Sequence, residues 1–390
     1  MALALSGLRI WDGVSETLRP GAGELFAEAG RWVASAPRDA ERIDLRGAVA
    51  LPGLCDAHVH LALDPERREV AQDGSADSLQ AMAARARRMA EAGITTARDL
   101  GGPDFRALEL RDRIACGEEI GPRLLCAGQP LTSPKGHCWY WGAEARGPDE
   151  LRAGVRRQVE AGADWIKVMA TGGVLTKGTT PATSQFDQEE LDAAVAEARA
   201  HGRRTAAHCH GTEGIQRAAR AGVRTIEHCS FASESAFGGA PDPEVIDFVA
   251  RSGAWISPTV NTGFARFFDE RGEPSKFALR MSEVYRRLRA AGARFVASTD
   301  AGIPNVAHHR LPEALPIFAR LAGLTPVETL RTATSGAAQA LGLGRETGQI
   351  APGFAADLLV VDGNPLEDLG ALLRPVLVLL RGRVALKEGS

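Results

Sequence analysis

Seven side chains that could bind metal ions or move protons lie at or near the carboxyl ends of short apolar segments. They comprise five of the nine histidines, one lysine and one aspartate: His58, His60, Lys167, His208, His210, His228 and Asp300. Imidazole nitrogens and carboxylate oxygens are common ligands of zinc and other divalent cations. Histidines placed at random would fall mostly on loops and helices, so this placement predicts a metal-dependent active site.

The sequence His58-Val59-His60 follows Pro52-Gly53 and an apolar strand. Residues in alternate positions of a strand point to the same face, as the binding of one cation by both side chains requires. By itself this spacing is a weak motif, since paired histidines also occur as hydrogen-bonded surface residues. Its place behind a predicted buried strand favours the metal site.

Lys167 lies inside the apolar segment 165–170, where an unpaired ammonium group is costly. The lysine could form a salt bridge or extend its amine beyond the sheet. Alternatively, carbon dioxide could convert it to a carbamate whose two oxygens bridge two cations. A buried lysine with a lowered pKa is nucleophilic enough for this reaction. The histidines nearby favour the bridging carbamate.

Asp300 follows the apolar segment 296–299. Such a residue commonly caps the next helix. Next to metal ions it would instead remain ionised, serve as a ligand and accept a proton from water.

Short apolar strands alternate with long helical segments through the middle of the chain, and helices are predicted at 81–92, 150–161, 188–201, 214–221, 243–252 and 277–291. The predicted strands are 51–58, 94–100, 123–126, 165–170, 204–208, 224–228, 254–258 and 294–299. Eight such units predict an α/β fold, a (β/α)8 TIM barrel with its chemistry at the carboxyl ends of the strands. A doubly wound open sheet would have a glycine-rich phosphate turn where this chain has His58-Val59-His60.

Both ends of the chain have a different pattern, without helical periodicity. Short strands are predicted at 3–11, 24–27, 31–34, 357–361 and 376–380, with turns at 21–23 and 362–365. We therefore expect a small β-sandwich domain formed by residues 1–52 and 340–390, and a catalytic barrel formed by residues 53–339.

The composition is that of an ordinary globular protein, with 44% hydrophobic and 24% charged residues and a formal charge of −3. This charge predicts no attraction to nucleic acid or to anionic membranes. The chain has neither a long apolar stretch nor a signal-peptide pattern. Its six cysteines form no C-x-x-C pair, so we expect a cytoplasmic protein.

Several segments resemble the amidohydrolase superfamily, among them residues 52–60 at the first strand and 350–358 before the terminal sandwich. Lys167, His208, His228 and Asp300 have the order and spacing of its binuclear members. Within the superfamily, the chain resembles the prolidase-like and N-acyl amino acid carboxypeptidase branch, and the segments that carry this resemblance are 95–102, 136–141, 171–176 and 207–211.

The resemblance implies a ligand set for two divalent ions, which we expect to be zinc. One ion would be held by His58, His60 and Asp300, the other by His208 and His228, and carboxylated Lys167 would bridge them. The resemblance also implies that His137 contacts the substrate. Position 210 is often tyrosine in relatives, and the histidine here weakens the transfer of a carboxylate-binding role.

Further substrate contacts are expected around the third and fifth strands. The aromatic run 139–141 predicts a wall of the substrate site that includes Tyr140. His137, His210 and Lys135 are candidates for contacts to a substrate carboxylate. His308 and His309 lie in the loop after the eighth strand, where either substrate contact or solvent exposure is possible.

The resemblance, with modest support from these candidate contacts, implies hydrolysis of an amide C–N bond in a small molecule, of the dipeptide or N-acyl amino acid type. Two cations would acidify a bridging water, and the hydroxide would attack the carbonyl. His137 would help to stabilise the oxyanion, and Asp300 would carry the proton to the leaving amine. We expect a homo-oligomer without nucleic-acid or membrane partners.

Three other functions fit the same fold. A lactonase or phosphotriesterase would use the same metals on another electrophile. A mononuclear deaminase or cyclic-amide hydrolase would not need a bridging Lys167. A non-catalytic scaffold would not need the complete ligand set.

Overall fold

The computed structural model describes residues 2–234, 236–239 and 241–387. Five strands come first: β1 (Ala2–Ile10), β2 (Gly23–Glu28), β3 (Arg31–Val33), β4 (Glu41–Asp44) and β5 (Val49–Pro52). Strands and helices then alternate: β6 (Leu54–Val59), α1 (Leu79–Glu91), β7 (Ile94–Asp99), α2 (Arg106–Cys116), β8 (Arg123–Cys126), α3 (Gly147–Glu160), β9 (Trp165–Met169), α4 (Gln188–Ala200), β10 (Arg204–Gly211), α5 (Thr212–Ala221), β11 (Thr225–Ala232), α6 (Pro243–Arg251), β12 (Trp255–Ser257), α7 (Lys276–Ala290), β13 (Arg294–Phe295) and α8 (Leu311–Ala322). The last elements are α9 (Pro326–Thr332), α10 (Ser335–Leu341), β14 (Leu358–Val361), β15 (Pro375–Leu380) and β16 (Arg383–Lys387).

The central strands β6 to β13 pair in parallel and form two sheets, which makes this part of the fold α/β as predicted. One sheet has the order β6-β7-β8, and the other has the order β13-β12-β11-β10-β9. Backbone hydrogen bonds also connect an edge strand of each sheet to the segment that follows an edge strand of the other sheet. Ala57 N donates to Ala297 O at 3.0 Å, and Met169 N donates to Leu131 O at 2.8 Å.

Helices cover the central strands with apolar side chains. Ile166 and Val168 of β9, Ile226 of β11 and Leu191 of α4 belong to one fully buried core. Each such side chain contributes about 1.5–3 kcal/mol on burial. Lys167 lies between Ile166 and Val168, so its side chain leaves the strand on the opposite face.

Strands from both ends of the chain form one sheet of order β16-β15-β14-β5-β1-β2-β3, with β4 beside β1. β5 and β14 connect the two ends, since Leu51 lies opposite Leu359. Neither β4 nor β16 was predicted, because their mostly exposed residues give no apolar run. The terminal strands that were predicted are confirmed to within one residue at each end: 3–11, 24–27, 31–34, 357–361 and 376–380.

The predicted strand 51–58 is wrong in its extent, because it spans two elements. β5 ends at Pro52 in the terminal sheet, and β6 begins at Leu54 in a central sheet. Gly53 makes the transition, where a Cβ atom would lie 2.2 Å from the side chain of Thr95. Only glycine fits this close approach, and it lets the chain change sheets.

Predicted strand 294–299 is also too long, since β13 ends at Phe295. Val296 N still donates to Ile256 O of β12 at 2.9 Å, but the next residue bonds to another segment, since Ala297 N donates to Thr332 O at 2.9 Å. Across the described residues, every helix is too short or too polar to cross a lipid bilayer.

Candidate metal centre and active site

Nine of the residues predicted to form the site line one cavity of about 470 Å³. They come from β6, β9, β10 and β11, from the 3-10 turn Trp139–Trp141 and the residues before it, and from the segments after β6 and β13. The cavity-lining members are His58, His60, His137, Tyr140, Lys167, His208, His210, His228 and Asp300. Residues more than 200 positions apart therefore share one chemical environment.

Three of these side chains converge at one end of the cavity. Nε2 of His58 lies 3.2 Å from Nε2 of His60. Oδ1 of Asp300 lies 3.2 Å from the His58 nitrogen and 3.3 Å from the His60 nitrogen. This group has the donor types and spacing of a cation site.

A second group lies beside the first and is formed by histidines alone. Nδ1 of His208 lies 2.9 Å from Nε2 of His228. His210 joins them, with one ring nitrogen within 4.8 Å of the others. Its ring stacks on His228 with 4.4 Å between centroids and 18° between planes.

The outer nitrogens of the first pair of histidines donate to fixed acceptors. Nδ1 of His60 lies 2.6 Å from the carbonyl oxygen of Gly101, which can only accept. Nδ1 of His58 lies 2.9 Å from Oε2 of the buried Glu227. Burial opposes ionisation of Glu227, but Arg98 and His58 outweigh it and hold its pKa below the usual range, so the carboxylate accepts.

The second pair follows the same pattern. Nε2 of His208 lies 3.1 Å from the carbonyl oxygen of Gly172. Nδ1 of His228 lies 2.7 Å from the hydroxyl of Thr259, and that hydroxyl donates to Pro258 O at 2.8 Å. The hydroxyl therefore accepts from His228.

These contacts place the protons of four histidines on their outer nitrogens. The inner nitrogens of His58 and His60 then present lone pairs to each other and to Asp300, and those of His208 and His228 present lone pairs to each other. Facing acceptors without a proton between them repel, and a cation turns this repulsion into ligation. An outer hydrogen bond that fixes the tautomer is also the usual support of a metal-binding histidine. The donor set therefore fits divalent cations.

Burial keeps three of these imidazoles neutral, the form that binds metal. It lowers the pKa of His58 to about 4, and it lowers the pKa values of His208 and His228 well below the ordinary value. Burial alone would raise the pKa of Asp300, but the positive charges that His58, His60 and Lys167 carry when they are protonated outweigh it and keep this pKa below the usual range. Asp300 is therefore a carboxylate.

Lys167 is almost completely buried, with 1% of its surface exposed. Burial lowers the pKa of its amine to about 8, although Glu227 and Asp300 favour the charged form. Among the residues that the structure describes, none forms a hydrogen bond or a close ion pair with this amine. A salt bridge, the first alternative for this lysine, is therefore absent from the described part of the chain.

A buried ion pair supports the first histidine group and was not identified from the sequence. Nη2 of Arg98 lies 2.9 Å from Oε1 of Glu227, and neither side chain is exposed. Arg98 also donates to the hydroxyl of Thr225 at 2.9 Å and lies over the ring of Trp165 at 4.4 Å. The available signal was two charged residues inside apolar strands, with Glu227 directly before His228.

Asp56 is a second buried residue that sequence reasoning missed. Its carboxylate accepts from the Thr299 hydroxyl at 2.6 Å and from the backbone nitrogen of His58 at 3.2 Å. Burial raises its pKa to about 7. Asp56 thereby ties the strand of His58 to the residue before Asp300.

The predicted substrate contacts lie on the cavity wall. Nδ1 of His137 lies 2.9 Å from the hydroxyl of Thr176, and its ring centroid is 4.6 Å from that of His208. Nδ1 of His210 lies 2.8 Å from the hydroxyl of Ser230. Tyr140 lies in the 3-10 turn Trp139–Trp141 and is mostly buried.

Two other candidates have different positions. Lys135 is exposed and lines a separate polar cavity of about 410 Å³, so its expected role as a substrate contact is not supported. His308 is buried, and its Nε2 lies 3.0 Å from the carbonyl oxygen of His60. It supports the backbone of His60 and is not a solvent-exposed loop residue.

Two predicted ligands adopt backbone conformations that are uncommon for residues other than glycine. The φ angle is 65° at His228 and 60° at Asp300, in the left-handed region. Such conformations cost about 1–3 kcal/mol and cluster at functional sites. Both side chains line the cavity.

The chain belongs to the amidohydrolase family, whose sequence model matches residues 49–385. This confirms the resemblance found in the sequence, and it identifies a hydrolase that acts on C–N bonds. Enzymes of this family typically use divalent metals and act on small molecules, which agrees with the two groups of facing ligands.

Individual relatives agree with the prolidase-like branch. An ochratoxinase of Aspergillus niger is 31% identical over 362 residues, covering 85% of this chain and 73% of the relative. A solved Xaa-Pro dipeptidase with bound methionine in its active site has a TM-score of 0.85 at 27% identity, covering 98% of this chain and 99% of that one. A prolidase complexed with N-methylphosphonate-L-proline has a TM-score of 0.83 at 28% identity, with the same coverage.

Proposed function

We propose that the protein hydrolyses small amides at a centre of two divalent cations, which we expect to be zinc. The observation that carries this proposal is the convergence of unprotonated ring nitrogens. His58, His60 and Asp300 would hold one cation, and His208 and His228 would hold the other. When bound, the cations supply Lewis acidity that polarises the amide carbonyl and lowers the pKa of water.

Carboxylation of Lys167 would complete this centre. The lysine lines the cavity, and its ammonium form would repel two cations close by. The lowered pKa provides the free amine that attacks carbon dioxide. The product is a carbamate anion with two oxygens that can bridge the two cations, and the proton lost from nitrogen goes to water.

Asp300 is the proposed proton carrier. Its Oδ1 faces the inner nitrogens of His58 and His60, and its other oxygen, Oδ2, would accept a proton from the attacking water. The same oxygen would then deliver that proton to the nitrogen of the leaving amine.

His137 is the proposed donor to the substrate carbonyl oxygen. If the hydroxyl of Thr176 donates to its Nδ1, the proton of the ring lies on Nε2. Burial lowers the pKa of His137 to about 4, so the ring is a neutral donor that does not repel the cations. A hydrogen bond to the developing oxyanion lowers the barrier without adding charge.

The substrate that we propose is an amide with a carboxylate, such as a dipeptide or an N-acyl amino acid. The support is the kinship with a dipeptidase, a prolidase and an ochratoxinase, together with a cavity large enough for such molecules. A panel of dipeptides and N-acyl amino acids, assayed with the metal-replete enzyme, tests this. Lactones and phosphotriesters belong in the same panel. If they are hydrolysed far faster than every amide, the enzyme is a lactonase or phosphotriesterase.

The remaining expectations form part of the same proposal. The eight central strands would close into a (β/α)8 barrel, with residues 53–339 as the catalytic domain and residues 1–52 and 340–390 as the β-sandwich. The backbone hydrogen bonds between the edges of the two central sheets support closure.

A cytoplasmic location agrees with six cysteines that are all free thiols. Size-exclusion chromatography with light scattering tests the expected homo-oligomer.

A further inference from the structure

Four half-buried phenylalanines form one wall of the cavity, which we call the phenylalanine wall: Phe237, Phe264, Phe267 and Phe277. Phe267 stacks on Phe277 with 4.1 Å between centroids and 28° between planes. Phe264 packs against Phe277 at 5.9 Å, and Phe237 packs against Phe277 at 6.3 Å. The rings support one another and leave part of their apolar surface facing the cavity.

The phenylalanine wall has a fixed position relative to the proposed catalytic carboxylate. Phe264 and Phe267 lie in the 3-10 helix Thr262–Phe267, which Asn261 caps by accepting from Gly263 N at 3.0 Å. The amide of Asn261 also donates to Thr299 O at 3.0 Å, and Thr299 directly precedes Asp300. This cap therefore links the wall to the residue proposed to move the proton.

Ring contacts lead from the wall to the histidine centre. Phe237 meets His210 edge to face, with 5.4 Å between centroids. His210 in turn stacks on His228. An apolar group that packs on the wall would therefore be close to the proposed reaction centre, because a continuous series of ring contacts connects the two.

The other end of the wall has a positive charge. The guanidinium of Arg266 lies 4.7 Å from the ring centroid of Phe267. Arg266 lines the cavity and is exposed. Within 2–234, 236–239 and 241–387, no acidic residue pairs with it, so the charge can bind an anionic group of a ligand.

We propose that the phenylalanine wall and Arg266 together select the substrate: an amide whose flat aromatic group lies on the wall and whose acid group pairs with Arg266. This rests on the proposed amide hydrolysis and narrows its substrate class. Aromatic groups gain from offset or edge-to-face contact with other rings in addition to the burial of their surface. The cavity of about 470 Å³ has room for such a group beside the reacting amide.

Matched substrates test the selection. N-acetylphenylalanine is compared with N-acetylalanine, so that a benzyl group replaces a methyl group on the amine side of the amide. N-benzoylglycine is compared with N-acetylglycine, so that a phenyl group replaces a methyl group on the acyl side. The carboxamide forms of these compounds remove the acid. In at least one pair, we expect kcat/KM of the aromatic compound to be at least about tenfold higher than that of its methyl counterpart. The carboxamide form of that aromatic compound should have a kcat/KM about tenfold lower than the acid. Equal values within both pairs would overturn the inference.

Matched variants assign the effect to these residues. Phe267→Ala should abolish the aromatic preference, and Arg266→Gln should abolish the preference for the acid. Arg220 lies over Phe248 at 5.8 Å outside this cavity, so Phe248→Ala and Arg220→Gln are equivalent controls. Preferences that survive in the Phe267 and Arg266 variants would contradict the proposal.

Binding provides a test that does not depend on turnover. Isothermal titration calorimetry with N-benzoylglycine should show about tenfold weaker affinity in Phe267→Ala and in Arg266→Gln than in either control. If no amide is hydrolysed but this pattern holds, the proposed reaction fails and the proposed ligand class stands. If amides are hydrolysed and binding is the same in all variants, only the present inference fails.

Discussion

Nδ1 of His58 lies 2.9 Å from the carboxylate of Glu227, and both side chains are buried although 169 positions separate them. The other oxygen of this carboxylate pairs with Arg98. Arg98 and Glu227 thus set the tautomer and orientation of a proposed metal ligand from outside the centre. Glu227 is a positioning residue, and its effect should be seen first in metal binding.

We predict that Glu227→Gln weakens metal affinity by about 10–100-fold, because His58 loses its charged acceptor. Excess metal in the assay should restore part of the activity. Glu197→Gln removes a carboxylate that contacts Arg156 on the surface, and it serves as the control. Metal titration followed by activity and by calorimetry makes the comparison. Unchanged metal affinity in a folded Glu227→Gln protein would mean that the charge of this acceptor does not contribute to metal binding.

Elemental analysis should find close to two divalent metals per chain, most of it zinc, in protein purified without chelator. Two separate groups of facing ligands motivate this number. Removal of the metal with a chelator should abolish activity and lower the melting temperature, since ions that bind only the folded state stabilise it. A reproducible content of one or zero after growth with added metal would exclude a binuclear centre.

Asp300→Asn should leave the protein folded and lower kcat by about 10²–10⁴-fold. Asparagine fills the same space but cannot carry the proton from water to the amine. Steady-state kinetics and metal analysis on the same preparation separate a proton-transfer defect from loss of metal. A wild-type kcat with normal metal content would remove Asp300 from the mechanism.

Lys167→Ala should lose metal and activity together, because the proposed carbamate bridge is gone. Short carboxylic acids should restore part of both, since they can occupy the bridging position. The same acids should not restore metal or activity to Lys167→Arg, because its guanidinium fills the space and stays charged. Electron density at the amine in a metal-replete crystal decides the question directly. A bare ammonium in a fully active enzyme would refute carboxylation.

Stability of the metal-free protein should fall as the pH is lowered from 7.5 to 5. Burial lowers the pKa of His137 to about 4 and the pKa values of His210 and His308 to about 3. Unfolded histidines have pKa values of about 6.5, so the unfolded chain binds more protons between these limits, and stability rises with pH across them. Calorimetry at several pH values measures this effect.

The contribution of one histidine to this pH dependence can be isolated. His308→Gln should reduce the change in melting temperature between pH 7.5 and 5, whereas His201→Gln, at an exposed position, should not. Glu227 and Asp300, whose pKa values are lowered, contribute stability that is lost mainly below about pH 5, outside this range. A melting temperature that does not change from pH 5 to 7.5 would contradict the prediction.

The sequence alone determined which residues lie at the candidate site. Apolar runs and helical periodicity are local, so they locate strand ends, and parallel strands bring those ends to one side. For this reason His58, Lys167, His208, His228 and Asp300 were identified without coordinates, and all of them line the same cavity. Local pattern also predicted five of the eight strands of the terminal sheet to within one residue at each end.

The tertiary structure alone decided which groups surround those residues. Glu227, which accepts from His58, and Arg98, which pairs with Glu227, come from different strands. Their sequence signal, a charged residue inside an apolar strand, does not show which residue each one contacts. The phenylalanine wall and Arg266 also come from distant segments, and their local sequence is ordinary for loops and helices, so it does not mark them as part of the site. Contacts between distant segments depend on how the strands and helices pack, and packing is a property of the whole chain. A strand end is therefore predictable from its own residues, whereas the proton position on each histidine and the surface that meets the substrate are fixed only when the chain folds.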